Sequence, residues 1–163
     1  MSTTAIQRLV AERLNADFGI YLSDVRQLAE RQSPWQHIEV FENPQFGRVM
    51  RIDSAFMTSE RDEFFYHEPM VHLPAIAHPG VRRALVVGGG DGGAAEELLK
   101  LPGIEQVVMA ELDGEVVAMA REWLASIHRG AFDDPRFTLR LGDARAFIAQ
   151  TKERFDQIVL DLT

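Results

Sequence analysis

The sequence predicts an α/β protein in two parts, a small antiparallel β unit followed by a doubly wound parallel sheet that is incomplete at its C-terminal end. Three observations carry this. Short β-branched runs separated by turn residues fill the stretch from Trp35 to Thr58. Beyond Arg83 four apolar strand-like runs alternate with three helical ones, the signature of right-handed βαβ crossovers. The first of those strands, Ala84–Val87, is uninterrupted and apolar, as a strand buried on both faces must be, and it ends in a run of glycines.

Taken in order, Thr4–Asn15 reads as a short helix and Leu14–Leu22 carries little signal. Trp35–Phe41 reads as a strand. The turn Glu42-Asn43-Pro44-Gln45-Phe46-Gly47 leads to a second strand at Arg48–Ile52, and Asp53-Ser54 punctuates before Ala55–Thr58. From Asp62 to Ile76 the pattern is helical, with Pro69 and Pro74 expected to kink or interrupt it. The text changes character near His78-Pro79-Gly80. The alternation that follows places strands at Ala84–Val87, Gln106–Ala110, Phe137–Leu141 and Gln157–Leu160, with helices at Ala94–Lys100, Asp113–Ile127 and Ala144–Thr151. The expected division is a β-rich domain at 1–61, a helical connection at 62–83 and the first part of a nucleoside-binding domain at 84–163. Because a doubly wound sheet normally carries further strands, the stop at Thr163 suggests the first part of a longer protein. A fragment of this kind is expected to self-associate through its open strand edge and to lack turnover.

Composition narrows the function. Of the 163 residues 46% are hydrophobic and 26% charged, the balance of a soluble globular protein. Cysteine is absent, which removes disulfides and thiolate metal sites. No apolar run approaches the roughly 20 residues of a membrane span, and the first residues lack the apolar core of a signal peptide, so no membrane partner and a cytoplasmic location are expected. The net charge is -8, and six of those eight excess negative charges fall within residues 84–163. Such a field repels phosphate backbones and attracts cations, which argues against nucleic acid and for a cationic small molecule.

Ligands of open parallel sheets sit at the carboxyl ends of the strands. Each of the four strands delivers an acidic residue there: Asp91, Glu111, Asp143 and Asp161. They are expected to converge on one crevice. Gly88, Gly90 and Gly93 form G-x-G-x-x-G between a strand and a helix, where glycine lets the backbone turn tightly and approach a nucleotide. Glu111, 21 residues past Gly90, suits a ribose. Asp91 would repel a pyrophosphate docked at the helix N-terminus, so a nucleoside without phosphate and with a positive charge fits better than a dinucleotide. S-adenosylmethionine and its relatives, being sulfonium compounds, meet that description. Asp143 suits an adenine amino group, with an N-cap of the following helix as the competing role. His37, His72, His78 and His128 show no convincing metal-ligand spacing.

Beyond these single positions, Ser33-Pro34-Trp35-Gln36, Glu60-Arg61-Asp62-Glu63-Phe64, Tyr66-His67-Glu68, His78-Pro79, Gly88–Gly93, Glu111-Leu112-Asp113, Asp133-Asp134-Pro135-Arg136 and Gly142-Asp143-Ala144 occur in order and with natural spacing. This text closely resembles the polyamine aminopropyltransferases, the spermidine synthase family, from about Gln32 to the last residue. The resemblance implies a Rossmann-like, methyltransferase-type sheet and transfer of an aminopropyl group from decarboxylated S-adenosylmethionine to an amine, putrescine in the leading reading, releasing 5′-methylthioadenosine. It implies that Gln36, Gly88, Gly90, Asp91, Glu111, Asp143 and Ala144 hold the nucleoside donor. Asp91 would also bind the aminopropyl arm, Tyr66, His67 and Asp161 would line the amine site, and Asp161 would accept the proton. The donor is a co-substrate, so no cofactor and no metal are implied, and a homodimer or homotetramer is expected. The family motif at Asp161 continues to a second Asp followed by Pro, one residue past this sequence. Agmatine or another polyamine as acceptor, an S-adenosylmethionine-dependent methyltransferase, and a non-catalytic relative are the alternatives. Donor preference separates the first two classes.

Overall fold

The structure, a computed structural model, describes residues 8–78 and 80–162. The chain divides into two compact units, 1–61 and 62–163.

The first unit is all β. Strands β1 (Leu9–Arg13) and β2 (Gly19–Ser23) form an antiparallel hairpin, and β3 (Arg26–Gln32), β4 (His37–Asn43), β5 (Gly47–Ile52) and β6 (Ala55–Ser59) form an antiparallel sheet in that order. Among the described residues of Thr4–Asn15 there is no helix. Residues 1–7 lie outside the described residues, and 9–13 are strand because pairing with β2 lets Val10 pack against Val25 and Phe41. Burying Val10 outweighs the weak helical preference of an isolated segment. Nothing in the sequence marks β3, a polar edge strand whose Arg26 pairs with Glu42 at 2.6 Å. The turn at Asp53-Ser54 has positive φ at both residues, 47° and 72°, the backbone hand that closes a tight hairpin.

The second unit opens with α1 (Phe64–Ala77), which runs through Pro69 and Pro74 without the interruption that was one of the two expected outcomes, a kink being the other. A proline removes one hydrogen bond, and here the flanking turns carry the helix past each loss. The parallel strands β7 (Arg83–Gly88), β8 (Gln106–Glu111), β9 (Phe137–Leu141) and β10 (Gln157–Asp161) lie in the order β10-β7-β8-β9. Between them come α2 (Gly93–Leu99), α3 (Gly114–Trp123), α4 (Ala125–His128) and α5 (Ala144–Gln150). The helix expected over Asp113–Ile127 is thus two helices, broken at the fully buried Leu124, whose backbone leaves the helical region. On one face of the sheet Leu85, Val87, Val108 and Ala110 pack against Ala144, Phe147 and Phe155. The Gln157 side-chain amide donates to the Val71 carbonyl at 2.9 Å, anchoring β10 to α1. On the sheet face shared with Leu85 and Val87, Ile158 and Leu160 are exposed. No helix among the described residues is long and apolar enough to cross a membrane.

Candidate active site

The order β10-β7-β8-β9 decides how the four acidic residues meet. Neighbouring strands lie about 4.8 Å apart, so Asp161 and the residue after β9 are separated by roughly 14 Å. The four residues expected to converge on one crevice lie in a row along the carboxyl edge. Asp161 and Asp91 sit together at one end, Glu111 lies between, and Asp143 stands at the other.

At the β10 end Asp161 pairs with Gly88 across the sheet. Gly88 and Gly89 have φ of 80° and 74°, and the Gly89 amide donates to the Asp161 carbonyl at 2.9 Å. A Cβ on Gly88 would collide with the Asp161 carbonyl oxygen, and one on Gly90 would lie 2.8 Å from Val116 Cγ1 and 3.1 Å from Glu111 Oε2. These glycines are required because the protein's own chain fills the space beside them. The Asp91 carboxylate turns back to accept from the Gly93 amide at 3.0 Å.

His67 completes this end from α1. Its ring is buried over Gly93, where an added Cβ would strike it. Nδ1 meets Glu63 Oε2 at 2.7 Å, while Nε2 faces Asp91 Oδ2 at 3.5 Å and Asp161 Oδ2 at 3.9 Å. Burial pulls the imidazole pKa down, but the charges of Asp91, Glu63 and Asp161 together outweigh it and hold the ring above its usual value. The Asp161 carboxyl is pushed up to about 6, by burial first and then by the Asp91 charge, with His67 opposing. Its Oδ2 is buried without a hydrogen-bond partner among the described residues. Tyr66 also bonds to the Asp161 carboxylate, and burial with the Asp161 charge raises its hydroxyl to about 12. The ligating atoms of His67, Asp91 and Asp161 lie within 4.8 Å of one another, close enough to surround one small cation.

Glu111 is buried at the end of β8, where its Oε1 accepts from the Asp113 amide at 2.9 Å. Burial raises its pKa, and backbone amides of Asp113, Leu112 and Gly90 counter that rise. Asp143 is exposed and caps α5, accepting from the Arg145 amide at 2.8 Å, so the capping role is realised. Ala144 follows it against the sheet. Gln36 belongs to the other unit, where Ser33 Oγ accepts from its backbone amide at 3.0 Å. Among the histidines set aside earlier, His72 bonds Glu97 at 2.7 Å and His128 packs on Phe132. Glu63 was not singled out on its own, although its spacing of four from His67 on a helix was visible.

Residues 63–163 match the Spermine/spermidine synthase domain, and residues 13–60 match the Spermidine synthase tetramerisation domain. The chain belongs to the spermine/spermidine synthase family. The polyamine aminopropyltransferase of Nitrosomonas europaea is 65% identical over 152 residues, 93% of this chain and 47% of that protein. Polyamine aminopropyltransferase 1 of Pseudomonas aeruginosa is 45% identical over 93% of this chain and 53% of its own length. Among solved structures, a spermidine synthase in complex with the transition-state analogue AdoDATO superposes with a TM-score of 0.91 at 36% identity, covering 96% of this chain and 53% of that one. The spermidine synthase of Thermotoga maritima gives 0.89, also at 36% identity, over 94% of this chain and 54% of its own. The chain thus spans about half the length of the relatives it matches.

Proposed function

We propose that the protein of which this chain is part transfers the aminopropyl group of decarboxylated S-adenosylmethionine to putrescine, giving spermidine and 5′-methylthioadenosine. The observation that carries the reading is Asp161, a half-buried carboxylate whose buried Oδ2 has no hydrogen-bond partner among the described residues, facing Asp91 and His67 at the end of the strand where such sheets bind ligands. The amine nitrogen attacks the methylene carbon bonded to the sulfonium, the carbon–sulfur bond breaks, and its electrons neutralise the sulfur. An alkylamine is almost fully protonated at neutral pH, so a proton must leave before or during attack. Asp161, lifted to about 6, takes protons far better than an ordinary aspartate, and its unpartnered Oδ2 is the receiving atom. Tyr66 and His67 line the amine site with it.

In this reading Glu111 holds the ribose and Asp143, with Ala144, the adenine, while Gly88 and Gly90 shape the donor site. Asp91 binds the aminopropyl arm. It also selects the donor, because it attracts the amine of the decarboxylated compound and repels the carboxylate of intact S-adenosylmethionine. The match to a tetramerisation domain supports a homodimer or homotetramer, and a cytoplasmic location is part of the proposal. No cofactor enters this chemistry.

The test is to offer the full-length protein the decarboxylated donor with putrescine, agmatine, cadaverine or spermidine and identify the product. Spermidine from putrescine supports the reading; methyl transfer from S-adenosylmethionine, or no product from any pair, overturns it. Two further outcomes are expected. Glu111→Ala should weaken methylthioadenosine binding by about 1.5–3 kcal/mol in calorimetry, the worth of hydrogen bonds to a charged group. Asp91→Asn should weaken the decarboxylated donor more than methylthioadenosine, which lacks the cationic amine. Equal losses for both ligands would confine Asp91 to shaping the turn with Gly93.

A further inference from the structure

We infer that Glu63 is a positioning residue for this reaction, fixing the His67 ring through Nδ1 so that Nε2 is aimed at Asp91 and Asp161. The proposal rests on the aminopropyl-transfer reading for its kinetic consequence, but its geometry stands apart from that reading. Glu63 occupies the N-cap of α1 and His67 the first full turn beyond, so one side chain lies over the other. Both are buried, and their 2.7 Å contact is the hydrogen bond made by Nδ1. A carboxylate accepts only, so Nδ1 carries the hydrogen in this contact. The absence of a Cβ on Gly93 lets the ring lie where a side chain would otherwise strike it. Nε2 is therefore directed to the two aspartates at 3.5 and 3.9 Å.

The charged groups around the ring are Glu63 on its own helix, Asp91 before α2 and Asp161 at the end of β10. Tyr66 bonds Asp161, and Glu111 adds negative charge to the same neighbourhood. Glu63 Oε1 in turn lies 3.9 Å from the Arg129 guanidinium, which is 3.6 Å from Glu96. Three carboxylates stabilise the ring's positive charge, and that charge favours the ionised, proton-accepting form of Asp161. Removing the Glu63 charge makes the ring easier to deprotonate. Asp161 then loses its positive neighbour and stays protonated to higher pH.

The experiment compares full-length wild type, Glu63→Gln and Glu63→Asp by nitrogen-15 histidine NMR without substrates and by the pH dependence of kcat/KM for the amine. Wild type should show Nδ1–H on His67 at every pH. Glu63→Gln should lower the His67 pKa and move the acid limb of kcat/KM upward by about one pH unit, with activity recovering at high pH. Glu63→Asp should restore part of that shift, and methylthioadenosine affinity should stay within twofold throughout. A loss of activity equal at all pH values, or an unmoved acid limb with an unmoved His67 titration, overturns the proposal. So does a neutral His67 whose proton sits on Nε2 in wild type, a result available even if Glu63→Gln fails to fold. If wild type transfers no aminopropyl group, the functional reading fails while the NMR arm still judges the placement of the ring.

Discussion

Asp161→Asn is expected to lower the amine-dependent rate of the full-length protein by about a thousandfold, within the range a positioned general base contributes. Asparagine keeps the shape and leaves the β10 pairing with Gly88 intact, so methylthioadenosine binding should change little. Stability should rise. A carboxyl whose folded pKa is raised to about 6 stabilises the fold fully below its unfolded pKa, and that contribution is lost as pH climbs through 6. At pH 7 the native state therefore carries a penalty of about 3 kcal/mol from this one group, at about 1.4 kcal/mol per pH unit. Thermal melts at pH 7 should show the variant above wild type, and the gap should close as pH falls from 7 toward 4. An activity loss of less than tenfold, or a variant that melts below wild type at pH 7, would remove Asp161 from the proton-accepting role.

Strand ends are legible because buried parallel strands are apolar and the first polar residue after each marks the edge. Asp91, Glu111, Asp143 and Asp161 stand out in that way. What sequence could not give was the strand order. Chain order places Asp161 last, whereas the sheet sets β10 beside β7 and brings Asp161 to Asp91 while sending Asp143 to the opposite edge. The glycine run shows the same limit. Its motif suggested room for a nucleotide, yet Gly88 and Gly90 make room for Asp161 and for Glu111 with Val116, which no spacing rule reveals. The spacing of Glu63 from His67 is visible in the sequence, but its role needs the burial of both side chains to appear. In the first unit, local propensity misread Leu9–Arg13 because the partner that makes it a strand, β2, is itself weakly marked.

The second large effect belongs to Gly88→Ala, a single methyl placed where β7 meets the end of β10. Two costs act together there. The φ of 80° is a region that L-residues with a Cβ avoid, at about 1–2 kcal/mol. The new Cβ would also meet the Asp161 carbonyl oxygen, with the carbonyl carbon 3.1 Å and Leu162 Cδ2 3.2 Å away. The main obstacle is backbone, which cannot rotate aside as a side chain would, so overpacking adds about 1–3 kcal/mol. The strand end must move, and Asp161 moves with it. A base displaced by 1 Å loses much of its value, since proton transfer demands hydrogen-bonding reach. Gly88→Ala is therefore expected to lose about 2–5 kcal/mol in chemical denaturation and at least a hundredfold in amine-dependent rate. The contrast with Asp161→Asn is the decisive part: one variant loses rate and gains stability, the other loses both. If Gly88→Ala kept wild-type stability and rate, the close packing of the glycine run against β10 would not be what holds Asp161 in place.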